Sequence, residues 1–118
     1  MAAALTVSEE SAVKVVSFHP ETELDASNIG ELEQSLYALV EGPTGQRIVL
    51  DMGNVIYASS RALGCLVTLR LKAARSGCEV VMASLPGPLV DIVQLTNLDK
   101  LYEIHPTRDA AVKRLTNA

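Results

Sequence analysis

The feature that most constrains this chain is a repeated change of hydrophobic period. Short runs with strand character alternate with longer stretches in which apolar residues recur every three or four positions. Val13-Lys14-Val15-Val16-Ser17-Phe18 is β-branched and partly alternating, as a strand requires. Ile29, Leu32, Leu36, Leu39 and Val40 then fall on one helical face. Ile48-Val49-Leu50 is apolar without interruption, the pattern of a strand buried on both faces. Glu79 to Ala83 repeats that pattern after a second helical stretch. Strands separated by helices call for a mixed, mostly parallel sheet with right-handed crossovers.

Punctuation residues set the boundaries. Pro20 ends the first strand because it cannot donate to a ladder. Glu21 to Leu24 reads as a short second strand, hairpin-paired with the first, and Asp25, Ser27 and Asn28 offer helix caps. Gly42-Pro43-Thr44-Gly45 stops the first helix. The second helix is expected from near Ser60, with Ser60 as its N-cap, to about Ser76. Its inner face would carry Leu63, Leu66, Val67, Arg70, Leu71 and Ala74, Arg70 reaching out to solvent along its stem, and Gly77 would serve as the left-handed stop. Pro86-Gly87-Pro88 opens a third helix with Leu89, Ile92, Val93 and Thr96 inward and Asn97 left-handed at its end. Leu101 to His105 reads as a last strand, and Thr107 caps a fourth helix containing Asp109, Ala111 and Leu115.

The predicted order is β-β-α-β-α-β-α-β-α, an α/β fold in one domain over residues 1–118, with residues 1–11 either loose or an edge strand. The length, 118 residues, fits one domain. With no Trp and one Phe, the core must be aliphatic.

Composition excludes several function classes. The net charge is -4 and no basic block of the kind that nucleic acid or anionic lipid requires is present. No apolar run approaches a membrane span, and the start lacks the basic region of a signal peptide, so a cytoplasmic protein is expected. His19 and His105 stand in no metal-ligand spacing with Cys65 or Cys78, so no metal and no cofactor is expected. The two cysteines form no CxxC and read as buried, reduced thiols. Neither a glycine-rich phosphate loop nor a GxSxG elbow occurs. An enzyme using a serine or Cys65 would need His19 or His105 beside its nucleophile.

The stretch Tyr57-Ala58-Ser59-Ser60-Arg61-Ala62-Leu63-Gly64 holds two hydroxyls where a strand-like run meets a helix. Backbone N–H groups at a helix start lack intrahelical partners, and the dipole there favours an anion. From the residues alone, the serine pair is either a cap or the acceptor of a phosphate.

From Glu10 to Leu115 the chain resembles a STAS domain, the fold of bacterial anti-sigma factor antagonists. Glu23-Leu24-Asp25 resembles that family's Gly-Glu-Leu-Asp segment before the first helix. Ile48-Val49-Leu50-Asp51-Met52 resembles its central strand, followed by Tyr57 at the place of an aromatic. Ser60-Arg61-Ala62-Leu63-Gly64 occupies the position of its Ser-Ser-Gly-Leu-Gly. Leu95-Thr96-Asn97-Leu98-Asp99-Lys100-Leu101-Tyr102 resembles the stretch joining its third helix to its last strand.

The resemblance implies the STAS fold: a mixed, mostly parallel sheet of four to five strands with about four helices. It implies a non-enzymatic bacterial regulator of transcription. Unmodified, such a domain binds an anti-sigma serine kinase and releases the sigma factor; phosphorylated at the serine aligned with Ser60, it lets go, and a serine phosphatase resets it. Ser59 is the alternative phosphosite. Asp25, Tyr57, Ser59, Ser60, Arg61, Ala62, Leu63 and Gly64 would face the partner. Ser59 stands where many members have Asp, Arg61 where a second serine is common, and Ala62 where glycine is usual, its Cβ able to crowd a partner backbone. A STAS module that never switches is the alternative reading: a self-associating scaffold, a stressosome-like unit or an accessory subunit of a transport complex.

Overall fold

The structure, a computed structural model, describes residues 5–117. Strands β1 (Leu5–Glu10), β2 (Val13–Phe18), β3 (Thr22–Leu24), β4 (Arg47–Asp51), β5 (Val55–Ala58), β6 (Glu79–Ala83) and β7 (Ile104–His105) are joined by helices α1 (Ile29–Glu41), α2 (Ser60–Arg75), α3 (Gly87–Leu95) and α4 (Arg108–Thr116). Five strands form a sheet in the order β1-β2-β4-β6-β7. β1 runs antiparallel to β2; the other pairs are parallel. β3 and β5 form a separate parallel pair. The mixed, mostly parallel sheet and four helices are as the sequence predicts; of residues 1–11, Leu5–Glu10 forms the edge strand β1, and residues 1–4 lie outside the described residues.

Side-chain alternation divides the sheet into two faces. Val16, Phe18, Ile48, Leu50, Val80 and Met82 point to the main core, which they share with α1, α2 and α3. Val13, Val15, Val49, Val81 and Ala83 point the other way, under Ala111, Val112 and Leu115 of α4. Central strand β4 is covered on both sides, which is why Ile48-Val49-Leu50 shows no alternation. Arg108 pins the start of α4: its Nε donates to Asp51 Oδ2 at 2.8 Å and its Nη1 to Glu10 Oε2 at 3.2 Å.

Several local expectations are corrected. β3 does not return as a hairpin on β2. The left-handed Glu21 (φ 58) follows Pro20 and turns the chain away, and the Thr22 N–H donates to Asn54 O at 2.9 Å. β3 therefore runs beside β5, the strand-like run that leads into the serine pair. The buried stripe of α2 is Ala62, Cys65, Leu66, Leu69 and Ala73. Leu71 and Ala74 are exposed, and Leu63 and Val67 half-buried. Alanine gives a weak apolar signal, so the larger leucines drew the predicted stripe off its axis. Arg70 is half-buried rather than free, its Nε donating to Leu101 O at 3.0 Å. Thr96 is exposed at the end of α3, where its hydroxyl donates to Ile92 O. The last strand shrinks to Ile104–His105 because the Leu101 and Tyr102 N–H groups both donate back to Leu98 O at 3.0 Å, closing the 3-10 turn that starts at Leu98. Tyr102 leaves the strand and turns inward, its hydroxyl donating to Leu66 O at 2.6 Å.

Other punctuation acts as its chemistry requires. Gly77 (φ 68) and Asn97 (φ 60) take the left-handed positions after α2 and α3. The Thr107 hydroxyl accepts the Ala110 N–H at 3.1 Å and caps α4.

Candidate functional site: the start of α2

The serine pair lies where β5 ends and α2 begins. The Ser59 N–H donates to Leu24 O at 2.8 Å, extending the β3–β5 ladder by one bond. Ser59 is extended (φ -71, ψ 166), and its Oγ accepts the Ala62 N–H at 3.1 Å. Ser59, not Ser60, is therefore the N-cap. The expected cap was one residue late because both serines suit the role by composition; the ladder bond holds Ser59 in extended geometry and leaves Ser60 as the first helical residue. Ser59→Ala is expected to cost about 0.5–2 kcal/mol, the usual value of a cap. Ser60→Ala, which removes an exposed hydroxyl, should stay within about 0.5 kcal/mol. Urea midpoints of the two variants check the order.

Ser60 is exposed, and with it Tyr57, Arg61 and Gly64. Leu63 is half-buried. Ala62 is fully buried in the main core. Its methyl group points inward along the α2 stripe, which corrects its placement on the partner-facing surface. Ile56 and Tyr57 are 54% and 48% exposed, an apolar pair beside the serines. Glu23 of β3 is in register with Tyr57.

Asp25 closes the β3 side. Its Oδ1 accepts the Ser27 N–H at 2.9 Å and the Ser27 hydroxyl at 2.6 Å. Its own N–H donates to Asn28 Oδ1, while Asn28 Nδ2 reaches Glu23 O at 2.7 Å. Asn28 is the residue before α1 but forms no side-chain cap. The Ser27 hydroxyl, then its N–H, hold the Asp25 carboxyl below the usual carboxylate range. A lowered folded-state value means the carboxylate stabilises the fold above the unfolded value, about pH 4, and loses that contribution as the pH falls through the folded value. Asp25→Asn should therefore lose less stability than wild type as the pH falls below about 4. Denaturant midpoints across that range measure it.

On the α1 side, Arg61 Nη2 lies 3.4 Å from Glu33 Oε1. Deeper in the same seam, burial pushes the Cys65 thiol above its ordinary value, and burial with the neighbouring thiol pushes the Tyr37 hydroxyl to about 12. A thiol nucleophile needs the opposite shift. The His105 ring nitrogen faces Glu103 at 3.3 Å, and His19 is exposed after β2. Among the described residues, neither histidine is hydrogen-bonded to Ser59, Ser60 or Cys65. No group of three or more His, Cys, Asp or Glu among them is placed to hold a metal ion. No helix among them is long and apolar enough to cross a membrane.

Sequence reasoning missed Glu33 and Ile56. Glu33 is 28 positions from Arg61, so no local spacing marks it. Ile56 could have been found, because Val55-Ile56-Tyr57 is an apolar run leading directly into the serine pair.

The model of the STAS domain matches residues 6–111. The chain belongs to the STAS-domain family. Three solved structures are similar to it over nearly their whole length. An anti-sigma-factor antagonist (STAS) domain protein from Planctomyces limnophilus superposes with a TM-score of 0.86 at 18% identity, over 94% of this chain and 97% of the other. An anti-sigma factor antagonist from Mycobacterium paratuberculosis reaches 27% identity with a TM-score of 0.76, over 94% and 92%. The Bacillus cell fate determinant SpoIIAA, solved in its phosphorylated form, gives 0.68 at 14% identity, over 95% and 99%. The STAS fold of anti-sigma factor antagonists is thus the fold of this chain.

Proposed function

We propose that this STAS domain is a cytoplasmic anti-sigma factor antagonist that binds an anti-sigma serine kinase through the start of α2 and is switched off by phosphorylation of Ser60. A serine phosphatase would restore the binding form. The observation that carries the reading is the division of labour in the serine pair. Ser59 Oγ is engaged with the Ala62 N–H, whereas Ser60 presents an exposed side chain at the first helical position. A kinase can reach Ser60 without dismantling the cap. A phosphate there meets N–H groups without intrahelical partners and the positive end of the dipole, so the fold tolerates it. The phosphorylated form of SpoIIAA supports the reading by analogy of fold.

Around Ser60, exposed Ile56 and Tyr57 supply apolar contact area, with Asp25, Glu23 and Arg61 as charged neighbours. No catalytic step by the domain is required; it is the kinase's substrate and ligand.

The test is site mapping. The protein is incubated with an anti-sigma serine kinase and ATP, and phosphopeptides are identified by mass spectrometry. Wild type and Ser59→Ala should each take one phosphate, on Ser60, and Ser60→Ala none. Full incorporation into Ser60→Ala would reject Ser60 as the acceptor.

A further inference from the structure

We infer that Arg61 is a shared counter-cation, held by Glu33 of α1 while Ser60 is unmodified and transferred to the phosphate when Ser60 is phosphorylated. The inference rests on Ser60 as the phosphosite and adds to it how the modification is transmitted to α1.

The unmodified contact is weak by construction. One nitrogen of Arg61 meets one oxygen of Glu33 at 3.4 Å, and the arginine side chain is 69% exposed. Single-pronged, solvated pairs of this kind contribute little. A phosphoserine carries a charge of about -1.5 to -2 and three acceptor oxygens, which suit the two-pronged guanidinium better than one carboxylate oxygen does. Adjacent helix positions do not face one another, so a short cation at position 61 would not reach. The arginine stem is long, and its exposure leaves it free to swing back over the first turn.

The exchange has two consequences. Arg61 cancels about one unit of the added charge, so the corner gains less negative charge than the phosphate alone brings. Glu33 loses its partner, which removes the ion pair at this end of the α1–α2 seam and leaves the buried packing of the two helices in place. The far end of the seam keeps its own bond, Lys72 Nζ to Glu41 Oε2 at 3.1 Å, with Lys72 also 5.2 Å from the centroid of the Tyr37 ring. Phosphorylation thereby redistributes the surface charge along a seam whose apolar core stays packed.

Among the described residues, the other charged or titratable groups around the corner include Glu23 on β3, Asp25 before α1, Tyr37 on α1, Tyr57 on β5 and Cys65 on α2. The two carboxylates raise the phosphate pKa in every variant alike and cancel in comparison.

Phosphoserine is installed at position 60 by genetic encoding, so the measurement does not depend on any kinase. The second phosphate pKa, ordinarily about 6, is then read by 31P NMR titration in four proteins: wild type, Arg61→Gln, Glu33→Gln and the double variant. Arg61→Gln is expected to raise it by about 0.1–0.7 unit, the range of one exposed ion pair. Glu33→Gln should lower it by a smaller amount, because the arginine is released to the phosphate. In the Arg61→Gln background, Glu33→Gln should shift nothing, since Glu33 acts through Arg61. An unchanged pKa in Arg61→Gln overturns the inference. So does a Glu33→Gln shift that is absent in wild type, or one that persists at equal size without Arg61, which would mark direct repulsion. None of these results bears on whether a kinase modifies Ser60, which the mapping experiment decides separately.

Discussion

Leu50→Ala is expected to destabilise the protein by about 2–5 kcal/mol. Leu50 is fully buried at the centre of the sheet, on the main-core face of β4, in register with Val16 of β2 and Met82 of β6. All three side chains belong to the same core, so no neighbour can collapse into the space without leaving its own contacts. The core contains no Trp and only one Phe, so it is built from many aliphatic side chains of similar size. Each large one therefore carries a sizeable share of the whole. Domains of this size are stable by roughly 5–15 kcal/mol, and this one change removes a large part of that. Urea unfolding followed by circular dichroism measures it. A loss below about 1 kcal/mol would mean that the central strand packs less tightly than the structure shows.

Phosphorylation of Ser60 is expected to weaken kinase binding by about 100-fold or more. The fold absorbs the phosphate because Ser60 is exposed at a helix start. The complex does not, because a dianion brought against a partner must shed water and meet whatever charge faces it. Such terms amount to several kcal/mol, and about 2.8 kcal/mol is a factor of 100. Asp25 and Glu23 already make the β3 side of the corner acidic, which fits a partner surface with basic groups. Release on phosphorylation then requires that desolvation and crowding at Ser60 outweigh the attraction of one more anion to that surface.

The main architecture was legible because burial writes itself into period. Ile48-Val49-Leu50 lacks alternation since both its faces are covered, and Gly77, Asn97 and Thr107 mark helix ends through backbone demands that few residues meet. What escaped reading was set by long-range contacts. β3 pairs with β5 rather than β2 because of a left-handed Glu21 and the Thr22–Asn54 bond, neither visible in residue type. The α2 stripe was misplaced because Ala62 and Ala73 are small. At the site, the position of the serine pair was legible, but the assignment of the cap was not. That depended on the bond from Ser59 to Leu24 O, 35 positions back along the chain. The Glu33 contact to Arg61 was hidden for the same reason.

The central claim is that Ser60, kept free of the cap, is where a phosphate turns partner binding off. Isothermal titration of the anti-sigma kinase with unmodified protein and with protein carrying phosphoserine at position 60 tests it most directly. Tight binding of the unmodified form and at least about 100-fold weaker binding of the phosphorylated form is the predicted result. Equal affinity of the two forms would contradict it.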